Sequence, residues 1–232
     1  MSSSRVQILK RLKELNPELL ADALEELGVF NKIINASVSG IKAVNYDQPL
    51  CGLAYTILFC DKNDPRPAIG THTRDYLNHV PPGVVVVIHN EAGTAFSTWG
   101  ALLSHYADKH GMLGTVTDGS IRDVDEIKRG AYPVYAVNST CSRGTGHYKV
   151  VEVQTTITIS GVNIHPDDYI IASNSGLVVL EPEYAEKTIE LAEKNKQKEA
   201  KIVSLIAEGF TLFEIDEMNQ SRVEPKMIAL KK

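Results

Sequence analysis

Leu113-Gly114-Thr115-Val116-Thr117-Asp118-Gly119-Ser120-Ile121-Arg122-Asp123-Val124-Asp125-Glu126-Ile127 decides how the chain is read. Val116 and Thr117 are β-branched and read as the end of a buried strand. Asp118-Gly119 predicts a tight turn, because glycine tolerates the positive φ such turns need. Ser120 then stands as an N-cap, with Asp123 three residues later as its capping-box partner. On this reading Arg122 and Asp123 occupy the first turn of a helix, at the carboxyl end of a strand. Open α/β sheets bind ligands at such ends, and helix N-termini favour anions. Asp118, Asp123, Asp125 and Glu126 crowd the guanidinium of Arg122 within nine residues. A divalent cation would relieve that crowding, and oxygen ligands suit magnesium or manganese. Acidic residues in a first helical turn are also ordinary dipole partners, so the spacing leaves both uses open.

Upstream, Val84-Val85-Val86-Val87-Ile88 is an apolar run that fits a strand buried on both faces. Thr98-Trp99-Gly100 then leads into a helix from Ala101 to His110, stopped by Gly111. Gly100 would let a ligand approach the exposed N–H groups of that helix start. The junctions at Gly100 and Arg122 could therefore face one small anionic ligand. The seven histidines show no HxH or HExxH spacing, so His89 and His105, nearest this region, read as structural or surface residues. Arg66, in a proline-broken loop, is a candidate anion contact or a solvated arginine.

Further out, an amino-terminal helical arm spans about residues 1–28, with Asn16-Pro17 starting its second helix and Gly28 stopping it. Its Leu19, Leu20, Ala23, Leu24 and Leu27 stripe reads as core packing. Residues 33–49 look loop-like, and Gly52–Phe59 reads as a strand. After Tyr135 a Gly/Ser/Thr-rich segment reaches Tyr148 and reads as irregular. A strand or hairpin arm is then expected over 150–159, and strands over 162–164, 169–172 and 177–180. A long helix follows over about 182–208. Its middle, Glu193 to Glu199, is wholly polar; a solvated face explains that, and so does an arm reaching over a neighbouring subunit.

At 232 residues and 43% hydrophobic composition, one domain spanning 1–232 is expected. No apolar run has the length of a membrane span, and Met1-Ser2-Ser3-Ser4-Arg5 lacks a secretory leader's apolar core, so a cytoplasmic location is expected. Cys51, Cys60 and Cys141 are odd in number, lack metal-ligand spacing and read as reduced thiols. A net charge of −5 without a basic face argues against nucleic-acid and membrane-surface partners.

Trp99-Gly100, Gly111-x-x-Gly114-Thr-Val-Thr-Asp-Gly119-x-x-Arg122-Asp123-x-x-Glu126 and Pro133-Val-Tyr-Ala136 resemble the RraA-like family. Gly161-Val-x-Ile-x-Pro-x-Asp168 and Gly176-Leu-Val-Val follow in the family's order, so the resemblance runs from about Leu19 to Gly209. It implies a swivelling β/β/α fold of the α/β class with flanking N- and C-terminal helices, assembled as a homotrimer or a dimer of trimers. The family includes divalent-metal-dependent 4-hydroxy-4-methyl-2-oxoglutarate aldolases, which often decarboxylate oxaloacetate as well. It also includes a regulator that binds and inhibits ribonuclease E. The implied function is therefore a lyase acting on a small 2-oxo acid through a pyruvate enolate, or else a non-catalytic protein regulating a ribonuclease or another partner. Carried over by position, Arg122 contacts the keto oxygen, and Asp123 is the direct ligand to magnesium or manganese. Backbone amides from Gly100, Ala101, Leu102 and Leu103 hold the substrate carboxylate. Glu199, from the adjacent subunit, orients a water on the metal. Two positions depart from the pattern: Ala101 replaces an Asp or Glu, and Ser173 replaces a common Asp. The chain has no glycine-rich dinucleotide-type fingerprint, which argues against the methyltransferase label sometimes attached to this family.

Overall fold

Asn16 and Pro17 begin the second helix as their types dictate: the Asn16 side chain accepts from the Leu19 amide at 2.8 Å, and proline takes the first helical position. The computed structural model describes residues 3–45, 50–70 and 73–221. In chain order these form α1 (Ser3–Leu12), α2 (Pro17–Glu26), β1 (Ile33–Asn35), α3 (Ala36–Ser39), β2 (Lys42–Ala43) and β3 (Leu50–Asp61). Then come α4 (Thr73–Leu77), β4 (Val84–Asn90), β5 (Ser97–Trp99), α5 (Ala101–Lys109), β6 (Gly114–Ile121), α6 (Val124–Arg129) and β7 (Val134–Ser139). The last are β8 (Tyr148–Val153), β9 (Ile157–Ile159), β10 (Val162–Ile164), β11 (Tyr169–Ser173), β12 (Gly176–Leu180), α7 (Pro182–Ala207) and α8 (Leu212–Ser221).

The fold is mixed α/β, with a central sheet ordered β1-β12-β11-β3-β4-β6-β7-β2 and helices flanking it. The centre, β3-β4-β6-β7, is parallel; β11, β12 and β1 extend it antiparallel on one side and β2 on the other. Period-two alternation decides which core each side chain joins. Val84, Val86 and Ile88 pack with Trp99 and Ile127, on the side of α4, α5 and α6. Val85 and Val87 pack on the opposite face with Val116 and the hairpin residues Ile157 to Ile164 of β9–β10. A third cluster joins Leu19, Leu20, Ala23 and Leu24 of α2 to Ala185, Ile189 and Ala192 of α7 and to Tyr169 and Leu180. Leu27, read with that stripe, lies past the end of α2 and is exposed. The polar middle of α7 begins as a tether: Glu193 accepts from Arg11 at 2.8 Å, and Asn195 donates to Glu26 at 2.8 Å. Beyond it, Lys196 is exposed but donates to the Glu14 carbonyl, while Gln197 through Lys201 are exposed. Among the described residues no helix is long and apolar enough to cross a membrane.

The decisive stretch folds differently from its sequence reading. There is no turn at Asp118-Gly119: β6 continues to Ile121, and its register with β7 shifts between Thr117 and Ser120. The local polar atoms are satisfied inside the strand. The Gly119 amide donates to Thr117 Oγ1 at 2.9 Å, and Asp118 Oδ1 accepts from the Asn90 amide at 2.8 Å. Glycine is needed at 119 for space, since a Cβ would come within 2.9 Å of Thr98 Oγ1. Ser120 is consequently buried in the strand and donates to the Thr94 carbonyl, and α6 starts only at Val124. Residues 33–45 also differ from the loop expected there, forming β1, α3 and β2; residues 46–49 lie outside the described residues.

Candidate active site

Two chain crossings build the site. β5 runs parallel to β6, and the Arg122 amide donates to the Trp99 carbonyl at 3.1 Å, which brings both strand ends to one place. The Trp99 indole N–H donates to Ser104 Oγ at 2.9 Å, and that hydroxyl donates to the Gly100 carbonyl at 3.2 Å, fixing how α5 starts. Gly100 is its N-cap without a side-chain cap, so the first-turn amides of Ala101, Leu102 and Leu103 lack intrahelical acceptors. A Cβ on Gly100 would lie 3.0 Å from both Arg122 Cγ and Asp123 Oδ2. The glycine thus lets α5 begin against the Arg122-Asp123 pair.

Asp123 takes the left-handed conformation, φ 57°, which Asp tolerates better than most residues. It precedes α6 as N-cap, yet its side chain makes no cap bond and instead accepts from Arg122 Nε at 3.0 Å. Neither the capping-box role nor a place for Arg122 and Asp123 within the first helical turn is realised. The strand overruns the predicted turn and delivers both side chains at its end.

A pocket of about 240 Å³ opens here, bounded by Gly100, Leu102, Leu103, Arg122 and Asp123. Phe59, Tyr76 and Tyr148 form an aromatic side, and Arg143 and Lys149 complete the wall. Sequence reasoning passed over Arg143 and Lys149, which lie in or next to the segment read as irregular. The signal was Gly144. A Cβ there would meet the Ser97 carbonyl oxygen at 2.2 Å, so the segment presses on β5. Lys149 is engaged, donating to the carbonyls of Asp64 and Arg66.

The four carboxylates do not converge. Asp118 pairs with His89 Nδ1 and Glu126 with His105 Nε2 at 3.1 Å, while Asp125 is exposed; among the described residues no group of three metal-type side chains forms. Burial opposes charge on His89, but the hydrogen bond and charge of Asp118 prevail and raise its pKa. Arg66 is bound by Asp64 and Glu91, holding the Asp64 carboxyl down at about 2, so it is not a free anion contact. Ala101 is buried, its side chain packed in the core with Trp99 and facing a smaller cleft beside Ser104 and Glu126. Only its backbone belongs to the helix start that the pocket shares. Ser173 bonds Glu18 and Ser175 at the end of β11, beside the start of β3, and does not line this pocket. Glu199 is exposed on α7 and is not part of this pocket.

For a divalent cation, the donor set is one half-exposed carboxylate beside the space a Gly100 Cβ would fill. One carboxylate fits a hard divalent cation only where water or substrate oxygens supply its other ligands.

A family model described as RraA-like, Aldolase/RraA, matches residues 19–179. Protein DlpA of Legionella pneumophila is 31% identical over 215 residues, which are 91% of this chain but 33% of that protein. The chain thus spans about a third of DlpA's length. A Halalkalibacterium halodurans protein named "Putative 4-hydroxy-4-methyl-2-oxoglutarate aldolase" is 24% identical over 198 residues, 84% of this chain and 87% of its own. The crystal structure of Streptomyces coelicolor RraAS2, described as an unusual member of the RNase ES inhibitor RraA protein family, shares the fold. It has TM-score 0.72 and 24% identity, and the match covers 84% of this chain and 94% of that one.

Proposed function

Because the chain belongs to the RraA-like family, we propose that the pocket is the active site of a divalent-cation-dependent carbon–carbon lyase acting on a small 2-oxo acid. The reading rests on one observation: the α5 amides, Arg122 and Asp123 meet in a single pocket although they come from two separate strand ends. The amides of Ala101, Leu102 and Leu103 bind the substrate's C1 carboxylate, as helix N-termini bind anions. Asp123 would hold magnesium or manganese, which would supply Lewis acidity toward 2-oxo acids. Arg122 uses Nε on Asp123, which leaves its terminal nitrogens to stabilise the oxygen on which enolate charge develops.

In oxaloacetate decarboxylation the bond from C3 to the distal carboxylate breaks. Its electron pair enters the pyruvate enolate, CO₂ leaves, and water protonates C3. In cleavage of 4-hydroxy-4-methyl-2-oxoglutarate a base must first take the C4 hydroxyl proton before the C3–C4 bond breaks. Asp123 is the one carboxylate lining the pocket among the described residues and is assigned to the cation. That leaves no second acid to act as that base, so this chain is expected to run the first reaction faster. General acid–base groups contribute ~10²–10⁴-fold. In an oligomer, Glu199 of the partner subunit would reach the pocket across an interface, consistent with its exposure here. Mixing inactive Arg122→Ala and Glu199→Ala chains should then restore part of the activity.

The deciding assay is pyruvate formation from oxaloacetate with magnesium, with manganese and with a chelator. Cation-dependent turnover supports the lyase. No turnover of either substrate with either metal overturns it and leaves the non-catalytic regulator of a ribonuclease or another partner.

A further inference from the structure

The pocket contains more positive charge than one carboxylate requires. Arg122 faces Asp123, but the side chain of Arg143, in the same pocket wall, has no hydrogen-bond or ion-pair partner among the described residues. Its backbone is nevertheless held, on the carboxyl side by the His147 and Tyr148 amides donating to the Gly144 carbonyl. On the amino side the Ser97 amide donates to the Ser142 carbonyl at 3.0 Å, and the Thr140 amide donates to the Ile121 carbonyl at 2.9 Å. Gly144 lies so close to the Ser97 carbonyl that no side chain fits. An unpaired guanidinium keeps all five of its donors free, and its planar fork matches a carboxylate bidentately. The backbone is pinned, and the exposed side chain is ordered on binding.

The Arg122 end of the pocket already provides for the 2-oxo-acid group, through Arg122 and the α5 amides. Lys149 adds charge but spends two of its three donors on carbonyls. We infer that Arg143 is a specificity-determining residue that grips a second carboxylate, at the end of the substrate remote from its keto group, so that the pocket selects 2-oxo diacids over 2-oxo monoacids. This rests on the proposed 2-oxo-acid reading of the pocket. It has a chemical consequence. In oxaloacetate the gripped carboxylate is the one that departs as CO₂, so a cation there stabilises the ground state and should favour binding more than turnover.

The test uses the full chain with magnesium present and compares wild type with Arg143→Gln and Arg143→Lys. Binding of 2-oxoglutarate and of 2-oxobutyrate, which lacks the second carboxylate, is measured by calorimetry. Wild type should prefer the diacid by about 10- to 100-fold, the worth of one charge-assisted pair. Arg143→Gln should lose that preference while holding the monoacid unchanged, and Arg143→Lys should recover part of it. With oxaloacetate, Arg143→Gln should raise KM with kcat kept or increased, which a general loosening of the loop would not do. Equal preference in wild type and Arg143→Gln, or equal weakening of both ligands, would overturn the inference. Diacid preference without any turnover in wild type would sink the lyase reading and leave Arg143's role standing.

Discussion

Two acid–base pairs lie near the end of β6, five residues apart, and they are built for different uses. Asp118 and His89 retain only 19% and 21% side-chain exposure, and Asp118 spends its second oxygen on the Asn90 amide. Asp123 and Arg122 retain 35% and 45%, share a single hydrogen bond, and open on the pocket. The first pair is saturated by protein and ties β4 to β6. The second leaves acceptor and donor capacity free for a ligand. Equal charges in one stretch of sequence thus become a structural tie and a candidate catalytic pair, and what separates them is the number of protein partners each has found.

Removing charge from the open pair should have the largest effect. Asp123→Asn keeps a residue that tolerates φ 57° and forgoes no cap bond. Cation-dependent pyruvate formation should fall by ~10²–10³-fold, as when one preorganised charge-stabilising group is removed. Thermal unfolding should stay put; a large drop in Tm would show that the open pair is structural after all.

Adding an acid at the start of α5, next to the open pair in the backbone but not in side-chain direction, should be the next largest. Ala101→Asp places its carboxylate in the core, not the pocket, because Ala101 is 2% exposed and packs with Trp99. The expected result is destabilisation by about 2–3 kcal/mol in urea unfolding, the scale of an unsatisfied buried polar group. A stable variant with enhanced aldol cleavage would mean that the α5 start can turn its side chain outward.

The smallest effect belongs to the closed pair and depends on pH. His89 titrates above its ordinary value, so its pairing adds stability in full below about pH 6.5 and loses it as pH rises through the raised pKa. Asp118→Asn should therefore cost about 1 kcal/mol at about pH 5.5 and much less at about pH 9. Lyase activity should be unchanged near neutrality. A cost that grows toward high pH would contradict the assigned pairing.

The sequence determined a good deal by itself. Strand and helix periodicities marked β3, β4, α2 and α7, because burial on one or two faces forces a repeat that local composition records. Arg122, Asp123 and Gly100 were legible through residue types that few other settings require together. Tertiary structure alone decided the rest. Asp118-Gly119 looks like a turn in isolation, yet neighbouring strands supply partners for its amides and carboxylate, so the strand continues. Arg143 was hidden because its segment has no periodicity; only the close approach of Gly144 to Ser97 brings it to the pocket. Ala101 could be read as a missing acid, but which way its side chain faces depends on how α5 packs against Trp99. Local sequence encodes which groups the backbone can carry. Whether a charge is left open or closed depends on partners far away in the chain, and only the folded sheet brings those within hydrogen-bonding distance.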